Sequence, residues 1–255
     1  MHIMIVRALA ALAFIALPTM QPALGAQTPA MPAPVIDPRA LALLNAMKTK
    51  LAAAKAFSFR ARSTTNAPDA TGQALTLVSD TVVKVMRPDK LNAKVRGDAP
   101  PLDFFFDGAT MTAYQPTLNL YATAKAPKTI EALIPFALEK VGIPIPFADL
   151  IFSDPYATLT GTMTRASYAG ASTIRGIRCE HAAFAGPGIK WEIWIDTRTS
   201  LPCQFTGALV EAQGSPRLAM EFHDWKLNPP LAASSFAFAK PAGALQVDFP
   251  ALTGQ

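Results

Sequence analysis

Residues 129–154 read TIEALIPFALEKVGIPIPFADLIFSD, and they interrupt a run of short, turn-separated strand patterns that extends over residues 72–227. Within the interruption, Ile130, Leu133, Ile134, Ala137, Leu138 and Val141 fall at the i, i+3, i+4, i+7, i+8 and i+11 spacing of one apolar helix face. Thr129 is placed to cap that helix. Pro135 lies inside it, lacks an N–H and clashes with the preceding turn, so a kink or restart is expected there. Gly142 ends the helix, Ile143-Pro144-Ile145-Pro146 cannot continue it, and Phe147–Phe152 reads as a second short apolar helix or turn.

On the N-terminal side, Asp37-Pro38 opens a helix with Asp37 as N-cap and Pro38 at the first helical position. Leu41, Leu44, Met47 and Leu51 give it an apolar stripe that ends near Lys55. Phe57–Arg62 then alternates with period two, punctuated by Asn66–Asp69. Residues 73–86 form one long or two short strands, and Arg87-Pro88-Asp89 turns the chain. Leu91, Ala93 and Val95 alternate with polar residues. Leu102–Phe106 is closed by Asp107-Gly108, a strong hairpin signal, with Met111–Gln115 as partner and Leu120–Thr123 beyond. After the interruption come Met163–Ala171, Ile174–Ala185, Ile189–Asp196, Leu201–Glu211 and Arg217–Leu227, set apart by Gly170, Gly186-Pro187-Gly188, Thr197–Ser200 and Gly214-Ser215-Pro216. Ser234–Phe238 closes the chain as a helical turn or strand. Even spacing with turn residues between predicts an up-and-down antiparallel sheet.

A sheet of about ten strands curls, because each strand is twisted against the last. The expected fold is therefore mainly β (α+β): a curved antiparallel sheet or half-barrel whose concave face is closed by the helices Asp37–Lys55 and Ile130–Phe152. Phe104, Phe106, Leu75, Leu77, Val83, Val85, Trp191, Ile193, Met220 and Phe222 are its candidate inner-face residues. They form either an ordinary packed core or the lining of an apolar cavity. In the second case Phe104, Phe106, Leu133, Phe136, Leu138, Phe147, Leu150 and Trp191 line the site. Phe105 points opposite its neighbours, to the outer face or an interface, and Trp194 is a second candidate surface aromatic.

The first 26 residues carry one charge, Arg7, then ten apolar residues, Ala8–Leu17, before Pro18, and Ala23-Leu24-Gly25 or the neighbouring Ala26 offers a small-residue cleavage point. This is a cleaved export signal, too short to span a bilayer. Residues 27–36 are a Pro-rich extended leader, and residues 37–250 a single half-barrel domain. The periplasm is the expected compartment, with no transmembrane span in the mature chain. The formal charge is +5, or +4 without Arg7, and no basic stripe is interleaved with aromatics, so nucleic acid is not an expected partner.

Two cysteines remain, Cys179 and Cys203, in an oxidising compartment. Residues 177–185, 189–196 and 201–211 read as three sequential strands. Neighbouring strands lie about 4.8 Å apart, so strands one and three lie about 9.6 Å apart, and a disulfide needs Cα atoms within about 7 Å, so the pair is expected to be unbridged. Cys179-x-His181 has metal-like spacing, but no third ligand lies nearby and His223 is expected several strands away. No Gly-x-Ser-x-Gly, Gly-rich phosphate loop or dinucleotide fingerprint occurs. The carboxylate pairs Asp103/Asp107 and Glu192/Asp196 stand on strands or near turns. No catalytic residues, metal or cofactor are assigned, and a non-enzymatic protein is expected.

Several segments resemble one family: Asp37–Phe59, Val85–Leu91, Phe105–Gly108, Leu120–Thr123, Ala148–Tyr156, Cys179–Phe184, Trp191–Asp196 and Asp224–Leu227. They cover roughly residues 37–245. The chain is similar to predicted periplasmic proteins with domain of unknown function 2092. That family is similar in architecture to the periplasmic lipoprotein carriers and to the lipid-sensing domain of envelope-stress regulators. The resemblance implies a half-barrel closed by helices over an apolar cavity and, by analogy, binding of an apolar or acylated ligand. The alternative partner is another envelope protein, bound by a solid-cored interaction module.

Overall fold

Residues Pro34–Gln255 form one unit and Met1–Ala33 another. The computed structural model describes residues 36–68, 71, 73–143, 145, 148–154, 160–209 and 217–249; the expected export signal and most of the leader lie outside the described residues. In chain order the elements are α1 (Pro38–Ala52), β1 (Ala56–Pro68), β2 (Ala74–Met86), β3 (Lys90–Gly97), β4 (Leu102–Phe106), β5 (Thr110–Gln115), β6 (Leu120–Lys125), α2 (Ile130–Val141), α3 (Ala148–Ile151), β7 (Arg165–Ile174), β8 (Ile177–Gly186), β9 (Ile189–Asp196), β10 (Pro202–Leu209), β11 (Arg217–Leu227) and β12 (Leu245–Gln246).

All strands join one curved sheet in the order β12-β6-β5-β4-β3-β2-β1-β11-β10-β9-β8-β7. Two meanders, β1–β6 and β7–β11, meet where β1 pairs with β11. β7 is one edge strand, and β6 is separated from the other edge by β12 alone. The segment joining them, which carries α2 and α3, must travel from one side of the sheet to the other. That topology makes the helical interruption a roof.

Local chemistry sets the elements. The Asp37 carboxylate accepts from Arg39 N at 2.9 Å and caps α1, whose Ala40, Leu44, Met47 and Leu51 are buried. Thr129 Oγ1 accepts from Ala132 N, and Gly142 takes the left-handed conformation that ends α2. Pro135 does not restart the helix, which runs unbroken over Ile130–Val141. Asn66 does not end β1 either, which continues to Pro68 in register with all of β2. Gly170 is not a separator: it sits at a bulge within β7, beside Tyr168, with φ 104°. The reversal comes instead at Arg175-Gly176, both with positive φ, as a two-residue hairpin requires. Between β4 and β5, the Asp107 carboxylate accepts from Ala109 N, Thr110 N and Thr110 Oγ1.

The disulfide expectation is overturned. Cys179 and Cys203 are bonded, with Cα atoms 6.7 Å apart. The flat-sheet spacing fails because Cys203 lies at a register shift between Pro202 and Gln204, immediately after the reversal that ends β9. A bulge re-aims a side chain and adds local twist, and β8 and β10 approach each other there. Cys179 is thereby removed from any metal-ligand role.

On the outer face, Phe105 packs against Phe238, as do Tyr114 and Tyr121, at centroid distances of 5.6, 5.6 and 5.0 Å. The segment after β11 crosses this face and adds β12 in parallel to β6, with Val247 N donating to Tyr121 O. It covers a sheet edge that would otherwise present unpaired backbone groups.

The roofed inner face as candidate functional site

The pairing registers line up the inner face in rows. One row is Phe59, Val83, Ala93, Phe104, Ala113 and Ala122, from β1 to β6; the next is Phe57, Val85, Leu91, Phe106, Met111 and Ala124. Alanines flanking Phe104 leave room for its ring. On the other half, Met220, Phe205, Ile193 and Ala182 form a row, and Leu218, Gly207, Trp191 and Phe184 another. Trp191 stacks on Phe184 at 4.0 Å. Phe57, Phe59, Phe222 and Trp225 form an aromatic cluster at the centre, with Phe59 and Trp225 at 4.5 Å.

These rows join α1 and the roof in one apolar cluster. Of the residues assigned from sequence, Phe104, Phe106, Leu133, Leu150 and Trp191 are buried within it, and Phe136 is half-buried against it. Leu138 is 57% exposed on α2. Phe147 lies outside the described residues. Of the inner-face candidates, Leu75 is 43% exposed, at the far end of β2, beyond the covered part of the sheet.

Among the described residues, several of the roof's polar contacts converge on the turn between β2 and β3, and Asp154 at its C-terminal end pairs with Lys48 of α1 at 3.0 Å. Arg87 donates from Nη1 to Ile151 O at 2.6 Å and from Nη2 to Phe152 O at 2.9 Å. These carbonyls end α3, where a helix leaves its acceptors unpaired. The guanidinium lies over the Phe57 ring at 5.4 Å, and its Nε is buried without a partner. Burial lowers the Arg87 pKa, and the nearby Glu131 carboxylate opposes that shift. Pro88 O accepts from Ile130 N at the start of α2, and Glu131 accepts from Ser153 N. One turn thus holds both ends of the roof. Sequence reasoning marked Arg87-Pro88-Asp89 only as a turn; nothing local distinguishes a latch arginine from a solvated one.

The outer face of β7–β11 and β1 holds an open groove of about 700 Å³. Among the described residues no group of three or more His, Cys, Asp or Glu is placed to hold a metal ion. Among the same residues no helix is long and apolar enough to cross a membrane.

No curated relative matches the chain. Among solved structures it is similar to the lipoprotein LppX of Mycobacterium tuberculosis, at 13% identity and TM-score 0.47, over 77% of this chain and 99% of that one. It is also similar to the MucA/MucB complex of Pseudomonas aeruginosa, at 15% and TM-score 0.43, over 79% of this chain and 61% of that one. A third is a LolA superfamily protein from Nitrosomonas europaea, at 11% and TM-score 0.34, over 78% and 97%. The family model described as predicted periplasmic protein (DUF2092) matches residues 40–250, and the chain belongs to that family of periplasmic proteins.

Proposed function

We propose that the protein is a non-enzymatic periplasmic binder or carrier of an apolar or acylated ligand, held between the inner face of the sheet and the α2–α3 roof. The carrying observation is a continuous apolar face covered by a segment that crosses the sheet and is held at the β2–β3 turn and by the Lys48–Asp154 pair. The described state is closed: Ile130, Leu133, Ile143, Leu150 and Ile151 are buried. Exposing five such side chains costs about 8–15 kcal/mol at 1.5–3 each. An acyl chain of about 14 methylenes contributes about 11 kcal/mol when buried, at 0.8 per methylene. The two are of one order, so opening and ligand entry are coupled: the ligand replaces the roof's side chains against the sheet. Lipid extraction and mass spectrometry of protein purified from periplasm test this. A copurifying acyl lipid is expected; its absence, with no response of a hydrophobic dye, rejects the reading.

The tight packing of the same cluster favours a second reading, an envelope interaction module with a solid core. The expected surface aromatics do not serve it in simple form. Phe105 is covered by Phe238, and Trp194 is stacked on His181 at 4.0 Å.

A further inference from the structure

The outer groove has an ordered charge pattern. The registers place Arg165 on β7 opposite Ala185 on β8, Ala185 opposite Lys190 on β9, Lys190 opposite Ala208 on β10, and Ala208 opposite Arg217 on β11. Cations therefore stand on every second strand of one row, with an alanine between each pair. All three are exposed, all line the groove, and none forms an ion pair among the described residues. The alanines leave the space between cations open. The next row supplies Ser167, Thr206 and Thr64, together with Glu192, whose Oε2 is 2.7 Å from His181 Nε2. Trp194, stacked by one face on His181, also lines the groove.

We propose that this groove binds an acidic polyproline-II segment of a partner protein that carries a carboxylate at every third residue. The row lies at the opposite end of β8–β10 from the bulge at Cys203, where the pairing is continuous, and there strands two apart lie about 9.6 Å from each other, which sets the cation spacing. Polyproline II repeats its side-chain direction every three residues, over about 9.3 Å. A β-strand ligand does not match, since its same-side repeat is about 6.8 Å. The segment would also run across strands whose ladders are already filled, so it must bind without backbone pairing, and polyproline II has no internal hydrogen bonds to lose. Concavity argues against a flat anionic bilayer as occupant.

The test is fluorescence anisotropy with a labelled 15-residue peptide of five Glu-Pro-Pro repeats, against the intact mature protein at low salt. Binding is expected, weakening as salt rises. The Gln-Pro-Pro peptide is expected not to bind. A peptide with the same number of glutamates at every second position is expected to bind more weakly. Arg165→Gln, Lys190→Gln and Arg217→Gln each lower affinity about two- to fivefold, the range for exposed ion pairs, and the triple variant at least about eightfold. The substituted side chains are exposed, so unchanged melting temperatures are expected. Should the triple variant unfold, the spacing comparison on the unaltered protein still decides. Equal binding of both glutamate spacings overturns the proposal. So does full affinity in the triple variant, or absence of Glu-Pro-Pro binding, with or without capture by phosphatidylglycerol vesicles.

Discussion

Replacing Arg87 by methionine keeps much of the side-chain bulk and removes both donors to the end of α3. A hydrogen bond to a charged group contributes about 1.5–3 kcal/mol, so two give about 3–6. The change also relieves the cost of holding the guanidinium away from water with its Nε unpaired, a penalty of about 1–3 kcal/mol. The remaining loss is about 2–3 kcal/mol. If the roof opens as a unit, this loss falls on the roof alone. The open population then rises roughly 30- to 160-fold, at 1.36 kcal/mol per tenfold. Native-state hydrogen exchange reads it directly. Amide protection in α2 should fall by that factor while β1, β2 and β11 keep theirs, because locally opening units exchange independently of the global transition. Ile130 N, held by Pro88 O, is the sharpest reporter. An equal loss of protection across sheet and roof would refute a separable roof, and so would no change at all.

Other consequences follow from the same geometry. Replacing Cys179 and Cys203 by alanine opens a loop closed over a sequence separation of 24 and should cost about 3.5 kcal/mol. Denaturant unfolding checks this, and free thiols in the native protein would contradict the bond. The Asp37 carboxyl is held down to about 2 by hydrogen bonds from the Arg39 side chain and backbone. Its folded value lies below the unfolded one, so its contribution is complete above the unfolded value near 3.8 and is lost as pH falls toward 2. NMR titration should give a midpoint near 2, moved upward by Arg39→Ala; a midpoint near 3.8 in the unaltered protein would contradict the cap geometry. Phe238→Ala should free the C-terminal segment from Phe105, Tyr114 and Tyr121 and raise exchange at Val247 N while the inner face stays protected. Unchanged exchange there would mean that β12 is held by its backbone pairing alone.

Much of this architecture was readable from residue order. Period-two alternation and turn residues place nearly every strand, because both are local. The pairing of β1 with β11 is not local, and neither is the consequence that the interruption joins opposite sides of the sheet. Gly170 misled because a glycine with positive φ serves a bulge as well as a turn, whereas Arg175-Gly176 lacks the Asn or Asp that usually marks a two-residue hairpin. The disulfide was missed for a related reason, a bulge with no sequence mark. On a helical wheel of 100° per residue, Leu138 lies about 80° from Ile130, while Ala137 and Val141 lie within about 20°. Its exposure follows from that angle, which a list of apolar spacings hides. The latch at Arg87 and the cation row of Arg165, Lys190 and Arg217 depend on which strands become neighbours, so only the assembled sheet reveals them.

Under the proposed function, apolar chains exchange with the roof against the inner face. The direct measurement is binding of a saturated acyl series from 10 to 18 carbons, with α2 hydrogen exchange followed in the same samples. Affinity should rise with each added methylene, by up to about 0.8 kcal/mol, until the hollow is filled, and exchange in α2 should change on binding. Binding independent of chain length, or strong binding that leaves α2 exchange untouched, would contradict it.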